Sequence, residues 1–339
     1  MYQFGGNEPI LTIVVPCYNE ELVLHETTKR LSEVLEELIS NQLISSVSKI
    51  LYVDDGSKDT TWEIIEELYY KSPFVKGLKL ARNVGHQNAL LAGLNTAAEY
   101  SDCVISIDAD LQDDVDAIKG FIEKFHEGYE VVYGVRQERK TDTFFKRNTA
   151  LLFYRLMDKM GVNIVYNHAD YRLLSHKVLM HLKEFKETNL FLRGIVPLVG
   201  FKSTEVYYDR HERFAGESKY PLKKMLTFAF EGITSFSVAP IRMITSIGIS
   251  FLVLSIIISI YTLVQKISGE TVSGWTSLML SIWFIGGVQL MGIGLVGEYI
   301  GKIYKETKAR PKYIVEVDLY SAPKETQKQD NQKVLTTTI

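Results

Sequence analysis

The sequence predicts an α/β domain on a mainly parallel sheet, followed by a membrane-surface amphipathic helix and two transmembrane helices. Three observations carry this reading. Apolar, β-branched runs alternate with helical patterns through the first part of the chain. Two long uncharged runs follow, and Lys and Arg gather on their outer sides.

The soluble part reads in order. Residues 10–15 form an apolar first strand, and residues 21–39 a helix with Leu24, Leu31, Leu35 and Leu38 on one face. Residues 47–53 are the second strand. Residues 59–69 are the next helix, with Asp59 as its N-cap. Residues 75–81 form a third strand, residues 87–99 an Ala- and Leu-rich helix, residues 103–107 a fourth strand and residues 130–133 a fifth. Repeated β-α-β units with buried-type strands imply a parallel sheet covered on both faces.

Composition narrows the function classes. With 46% hydrophobic and 23% charged residues, the chain is globular rather than disordered. The 38 Lys and Arg against 41 Asp and Glu leave a net charge of −3, which argues against a nucleic-acid partner. Cys17 and Cys103 are the only cysteines, too few for a disulfide framework or a four-cysteine zinc site. Both lie in apolar runs and read as reduced core residues.

No basic and apolar leader opens the chain at residues 1–9. Residues 244–264 are 21 positions without a charge, and residues 275–296 are 22 more, with Gln289 the one strongly polar side chain. A spanning helix needs about 20 apolar residues; the alternative is a buried soluble hairpin. Lys219, Lys223, Lys224 and Arg242 precede the first run, and Lys302, Lys305, Lys308, Arg310 and Lys312 follow the second. The intervening loop has only Lys266, offset by Glu270. That asymmetry puts both flanks in the cytoplasm and makes the protein multi-pass in the cell membrane. Gly287, Gly294 and Gly301 recur on one helical face, which suits close helix packing within the protein or between subunits of a homo-oligomer. Leu222, Met225, Leu226, Ala229, Ile233 and Phe236 recur at helical spacing before the first run, as in a helix lying among lipid headgroups; the alternative is a core-packed helix. The tail after about residue 322 is polar and reads as disordered.

In a parallel sheet, ligands bind beyond the carboxyl ends of the strands. After the first strand stand Pro16, Cys17, Tyr18, Asn19 and Glu20. After the second come Asp54, Asp55, Gly56 and Ser57, after the third Arg82 and Asn83, and after the fourth Asp108, Ala109, Asp110, Leu111, Gln112 and Asp113. The glycine fingerprints of dinucleotide-binding folds and of P-loops are missing.

An Asp-x-Asp closing a buried strand suits a hard divalent cation, Mg²⁺ or Mn²⁺. Period-two alternation would put Asp108 and Asp110 on one side of an extended chain. The ion would bridge a diphosphate and neutralise the charge that grows as it leaves. The plainer reading is a helix cap. Asp54 or Asp55 suits hydrogen bonds from a base or a ribose hydroxyl, or an Asx turn at Gly56. Tyr18 suits stacking on a base, or packing at a strand end. Arg82 suits a phosphate, or a carboxylate of the acidic cluster. Arg210, Arg213, Ser218 and Lys219 cluster just before the amphipathic helix, as an anion site at the membrane surface or as a basic loop drawn to anionic lipid. Arg193 adds a positive group there, or pairs with a surface acid.

These segments resemble the family 2 inverting glycosyltransferases of the GT-A fold, and more narrowly the polyprenyl-phosphate glycosyltransferases. The likeness lies in residues 15–20, 53–57, 82–86, 108–112, 169–173, 213–220 and 297–311, and so runs from about residue 11 to residue 317. It implies a sugar nucleotide donor and a polyprenyl phosphate acceptor. With the apolar runs, the chain divides into a cytoplasmic catalytic domain at residues 1–217, a juxtamembrane amphipathic part at 218–243, spans at 244–264 and 275–296, and a cytoplasmic end at 297–339. The likeness places Pro16, Tyr18, Glu20, Asp54 or Asp55 and Asp108 around the nucleoside, and Asp110 and Gln112 at the metal and diphosphate. Arg213 to Lys219 fall on the acceptor phosphate, and Asp170 matches an acidic position taken in the family as catalytic; its alternative is a salt bridge to Arg172 or Arg193. Glucose or N-acetylglucosamine carried by UDP leads among donors. The product would form on the cytoplasmic side and need a separate flippase.

Three other readings compete, one of them a soluble nucleotidyltransferase, against which the two apolar runs count. A processive polysaccharide synthase would carry a Gln-x-x-Arg-Trp element, which does not occur here. A catalytically idle membrane scaffold would have no use for the acidic cluster.

Overall fold

The computed structural model describes residues 8–137, 168–187, 192–209, 239–267 and 274–321. They belong to two compact units: residues 1–147, 164–219 and 310–339, and residues 148–163 and 220–309.

The first unit runs β1 (Leu11–Cys17), α1 (Leu24–Ser40), β2 (Lys49–Asp54), α2 (Thr61–Lys71), β3 (Val75–Leu80), α3 (His86–Ala97), β4 (Cys103–Ser106), α4 (Ala117–His126) and β5 (Val131–Arg136). After residue 167 come β6 (His168–Ser175), α5 (His176–Leu182), α6 (Leu192–Leu198), β7 (Ser203–Tyr208) and, from the chain's end, β8 (Val315–Asp318). All eight strands join one sheet in the order β7-β5-β6-β4-β1-β2-β3-β8.

The predicted β-α-β series is present, and β1 pairs in parallel with both β2 and β4. The sheet is nevertheless mixed, because β6 is antiparallel to both β4 and β5, and β8 is antiparallel to β3. The five expected strands omit β6, β7 and β8. Two of them hide their pattern. β6 carries Asp170 and Arg172 yet is buried at both, so charge masks its strand character. β8 returns from 235 positions beyond β3 in sequence to seal its edge, with Leu319 N–H donating to the Gly77 carbonyl.

Leu24, Leu31, Leu35 and Leu38 are all buried, as their spacing requires. Asp59 caps α2 from one residue outside: its Oδ1 accepts from Thr61 N–H at 3.1 Å, while Thr60 holds the N-cap position. α3 lies close over β1 and β2 at Gly93, where a Cβ would come 2.7 Å from Val53 Cγ2 and nearer still to Val14. Cys17 and Cys103 are free and buried, and burial pushes both thiols up, so neither ionises at neutral pH.

The second unit holds α7 (Ala239–Ile267) and α8 (Trp275–Lys308). α7 contains the first predicted span. α8 starts at the predicted Trp275 and continues past Val296. Among the described residues, the segment long and apolar enough to cross a membrane is Phe284–Lys308, displaced toward the C-terminus from the expected residues 275–296; Met243–Ile258 is a shorter apolar stretch. The two helices touch at Phe251 and Phe284, whose ring centroids are 5.5 Å apart, and at Gly292, where a Cβ would lie 3.5 Å from Ile244 Cγ2. At Gly287, Gly294 and Gly301 a Cβ would meet nothing within 4 Å among the described residues. The amphipathic helix expected at residues 220–240 and the tail after 322 lie outside the described residues, apart from the start of α7.

Candidate active site

The order of connection reverses at β1: the chain proceeds outward through β2 and β3, then returns to place β4 on the other side. Such a reversal opens a crevice at the carboxyl ends of the two central strands, where α/β sheets bind ligands. The turns after β1 and β4 therefore face the same crevice.

The first three turns are stitched together. Asn19, in a left-handed conformation, donates its N–H to Ser57 Oγ at 3.0 Å and accepts Lys58 N–H at 2.9 Å. Glu20 N–H donates to Thr61 Oγ1 at 2.9 Å. Tyr18 and Glu20 are half-buried at this rim, whereas Pro16 lies buried within β1 opposite Val53.

Asp54 and Asp55 are almost wholly buried, 0% and 3% exposed, and act on this chain's own backbone. Asp54 Oδ1 accepts Ser57 N–H at 3.2 Å, the Asx turn offered by the sequence. Its Oδ2 is buried and has no hydrogen-bond partner among the described residues. Asp55 accepts Val84 N–H at 2.7 Å and Gly85 N–H at 2.9 Å, tying the turn after β3 to the turn after β2. Burial raises both carboxyls above their ordinary range, against the pull of these hydrogen bonds. Between them and the β3 turn there is room only for glycine. Gly56 has φ +66°, and a Cβ there would lie 2.7 Å from Asn83 N. Arg82 stands exposed on this turn, its Nη1 donating to the Asn83 carbonyl at 3.4 Å.

The acidic segment after β4 is not an extended chain. Strand pairing ends at Ser106, although Ile107 N–H still donates to the Val14 carbonyl. Ala109 and Asp110 lie in a turn, and Leu111 takes φ +55°. The period-two argument for Asp108 and Asp110 thus gives way to a turn, in which Asp110 Oδ1 accepts Gln112 N–H at 3.2 Å. Asp108, Asp110 and Gln112 are all half-buried. The turn is anchored by Asp113, which the sequence reading left without a role. Asp113 is buried and accepts from Arg136 Nη2 at 3.1 Å and from the Tyr208 hydroxyl at 2.7 Å.

Asp170 is the centre of a charged cluster. Arg172, 1% exposed, donates to its Oδ1. Arg193 donates from Nε to Oδ1 and from Nη2 to Oδ2, and Gln87 Nε2 donates to Oδ2 at 3.1 Å. His86 Nε2 lies 3.7 Å from Asp170 Oδ2 and 3.7 Å from Asp108 Oδ1, so it joins this cluster to the acidic turn. Burial alone would raise Asp170. The Arg193 guanidinium, His86 and Arg172 overcome it and hold the carboxyl well below the usual range. Desolvation opposes charge on His86, but Asp170 and Asp108 carry its pKa up to about 9. Desolvation raises Asp108, with Asp113, Asp170 and Asp110 adding to the rise.

The fold thus brings Asp108, Asp170 and Arg193 together, along with His86, Gln87 and Arg172, none of which the sequence reading singled out as site residues. The residues 82–86 and 169–173 belonged to its matching segments, so position in the motif was the available signal. Arg193, expected at the acceptor phosphate or on a surface acid, pairs with the buried Asp170, which is the salt bridge offered as the alternative for Asp170. Arg210, Arg213, Ser218 and Lys219 lie outside the described residues.

Comparison with known proteins decides the class. The model of glycosyl transferase family 2 matches residues 12–183, and the model of the GtrB C-terminal hairpin matches residues 239–303. The chain belongs to glycosyltransferase family 2. It is 61% identical to YkoT, an uncharacterized glycosyltransferase of Bacillus subtilis (strain 168), over 315 residues, 93% of this chain and 94% of that one. It is 42% identical over 307 residues to a prophage bactoprenol glucosyl transferase homolog of Escherichia coli (strain K12), covering 90% of this chain and 98% of the relative. The bactoprenol glucosyl transferase of Shigella phage SfV is also 42% identical over 307 residues, covering 90% and 97%. As a family 2 glycosyltransferase the chain is an enzyme, and its mixed sheet, with the acidic turn beside β1, is a GT-A fold.

Proposed function

We propose that this glycosyltransferase moves glucose from UDP-glucose to a polyprenyl phosphate, inverting the anomeric centre, on the cytoplasmic face of the cell membrane. The observation that carries the reading is 42% identity across 90% of the chain to proteins named bactoprenol glucosyl transferases. The match to the GtrB C-terminal hairpin and the apolar segment Phe284–Lys308 support residues 244–264 and 275–296 as membrane-spanning, with residues 1–217 as the catalytic domain.

The chemistry of the donor set fits a divalent cation, Mg²⁺ or Mn²⁺. Among the described residues, no three His, Cys, Asp or Glu side chains converge to hold a metal unaided. The acidic turn offers Asp108 and Asp110 with the Gln112 amide, half-exposed at the crevice. One or two carboxylates completed by phosphate oxygens and water is the usual coordination of Mg²⁺. When bound, such an ion neutralises charge on the departing diphosphate.

The protein's own residues do the rest. Tyr18 and Glu20 line the nucleoside side of the crevice with buried Pro16 beneath, and Arg82 is exposed there to meet a phosphate. Asp54 and Asp55 hold the turns in shape rather than the nucleotide directly. A lipid phosphate is largely ionised at neutral pH, with a second pKa of about 6 by analogy with phosphoserine. The nucleophile therefore needs little proton removal, and catalysis rests on holding two anions against one another. Arg210, Arg213, Ser218 and Lys219 take the acceptor phosphate in this reading, with Arg193 at the crevice. Asp170 positions Arg193 and does not act as a base. A second copy of the chain and a flippase for the lipid-linked sugar are further partners.

The test is transfer of radiolabelled sugar from a panel of UDP- and GDP-sugars to undecaprenyl phosphate, in detergent with Mg²⁺ or Mn²⁺. Organic-extractable label from UDP-glucose, lost with EDTA, is the expected result. Nucleotide binding without lipid-linked product from any donor would sink the reading.

A further inference from the structure

We propose that Gln87 is a positioning residue of the transfer reaction, locking the start of α6, and with it Arg193, onto the turn that closes the nucleotide side of the crevice. The inference rests on the proposed function for its chemistry, and on hydrogen bonding for its geometry.

Gln87 is the second residue of α3. Its side-chain Nε2 donates to Asp170 Oδ2 at 3.1 Å, and its Oε1 accepts the Leu192 N–H at 3.1 Å. The orientation of the amide follows from its partners, because a carboxylate only accepts and a backbone N–H only donates. Leu192 is held a second time, since Arg172 Nη1 donates to its carbonyl at 3.3 Å. Both polar groups of the residue preceding Arg193 are thus fixed by side chains from different parts of the fold, one from α3 and one from β6. Arg193 then reaches back to the same Asp170 that Gln87 and Arg172 contact. The ring closes on itself: Gln87, Leu192, Arg193, Asp170.

Gln87 also connects this ring to the other side of the crevice. The backbone just before it, at Val84 and Gly85, is bound by Asp55 at the end of β2. A continuous path therefore runs from the turn after β2, through the start of α3 and the Gln87 side chain, to Asp170 and the Arg193 guanidinium paired with it. An arginine has many rotamers, and ordering it during the reaction is costly. Fixing its backbone beforehand removes part of that cost, and misplacement of a catalytic group by 1 Å can cost about 10²-fold in rate.

Two variants separate this role from a merely structural one. Gln87→Met removes both hydrogen bonds at similar length. Gln87→Glu keeps an acceptor for Leu192 N–H and loses the amide donor to Asp170. The full chain in detergent is assayed for transfer, for nucleotide binding and for hydrogen exchange over residues 192–198. For Gln87→Met the expected result is faster exchange over 192–198, unchanged nucleotide affinity, and kcat lower by about 10- to 100-fold with the donor KM preserved. Gln87→Glu should keep more of the protection and still lose kcat. Wild-type kcat per nucleotide-binding site in both variants, or unchanged exchange over 192–198 in Gln87→Met, would overturn the proposal. If Gln87→Met does not fold, kcat of Gln87→Glu decides: a wild-type value overturns the role. If the wild-type protein transfers no sugar to lipid, the functional reading fails, while the exchange comparison still judges the lock itself.

Discussion

Arg193 meets Asp170 side-on, with Nε 3.3 Å from Oδ1 and Nη2 3.2 Å from Oδ2. With Arg172 and Gln87 also donating, the carboxylate has few lone pairs left for a proton. A general base works best with a pKa near the operating pH, and this one is held far below it.

Replacing Asp170 leaves two arginines without their shared counter-ion, one of them buried. Asp170→Ala is expected to destabilise the protein by about 3–5 kcal/mol at neutral pH. The pH dependence has a definite sign. The folded carboxyl is lowered below its unfolded value, so the pairing stabilises the protein above about pH 4 and is lost as pH falls through the lowered value. Thermal melts of wild type and Asp170→Asn at a series of pH values check this. A stability gap that grows on acidification would contradict it.

Asp110→Ala is expected to abolish transfer while the protein stays folded and melts like wild type. EDTA should do the same reversibly, with activity restored by Mg²⁺ or Mn²⁺. Normal turnover by the variant would remove Asp110 from the metal site.

Gly56→Ala tests the close approach of the β2 and β3 turns. A left-handed alanine costs roughly 1–2 kcal/mol, and a Cβ 2.7 Å from the Asn83 nitrogen cannot be relieved by a rotamer change. The expected outcome is a lower melting temperature together with weaker nucleotide binding, read by calorimetry. Wild-type values in both would show that the turns can part.

The segment after α8 matters to the sheet. The Tyr320 hydroxyl bonds Thr12 Oγ1 at 2.7 Å, and Thr12 in turn bonds Ser101 Oγ at 2.7 Å, all buried. Tyr320→Ala should destabilise the protein by about 3 kcal/mol, the usual cost of emptying a buried aromatic site. Tyr320→Phe should cost only about 1 kcal/mol, because Thr12 and Ser101 still satisfy one another. Equal melting temperatures for all three proteins would mean that the segment is dispensable to the sheet.

Arg213→Ala and Ser218→Ala are expected to raise the acceptor KM or lower kcat, with nucleotide binding unchanged. Unaltered acceptor kinetics in both would end their assignment to the lipid phosphate.

Much of the site was legible because the residues after parallel strands are constrained to one edge. Tyr18, Asp54, Asp55, Arg82, Asp108 and Asp110 could be gathered from strand ends alone. What those groups touch was not legible. Asp55 reads as a candidate nucleotide ligand, and the sequence does not show that its oxygens also accept from Val84 and Gly85, contacts made across 29 and 30 positions by the pairing of β2 with β3. His86 closes a matching segment and Gln87 lies just beyond it, where the sequence marks no role, and both matter because β6 enters the sheet antiparallel beside β4 and carries Asp170 to them.

Periodicity and position at strand ends sufficed for the β-α-β core, the two apolar helices and the acidic segment after β4, because each is written into local spacing. The mixed sheet, the turn at Asp110, the sealing of β3 by β8 and the ring around Asp170 depend on contacts between residues far apart in the chain. Their stability comes from burying charges and hydrogen bonds that satisfy one another only once the whole sheet has formed.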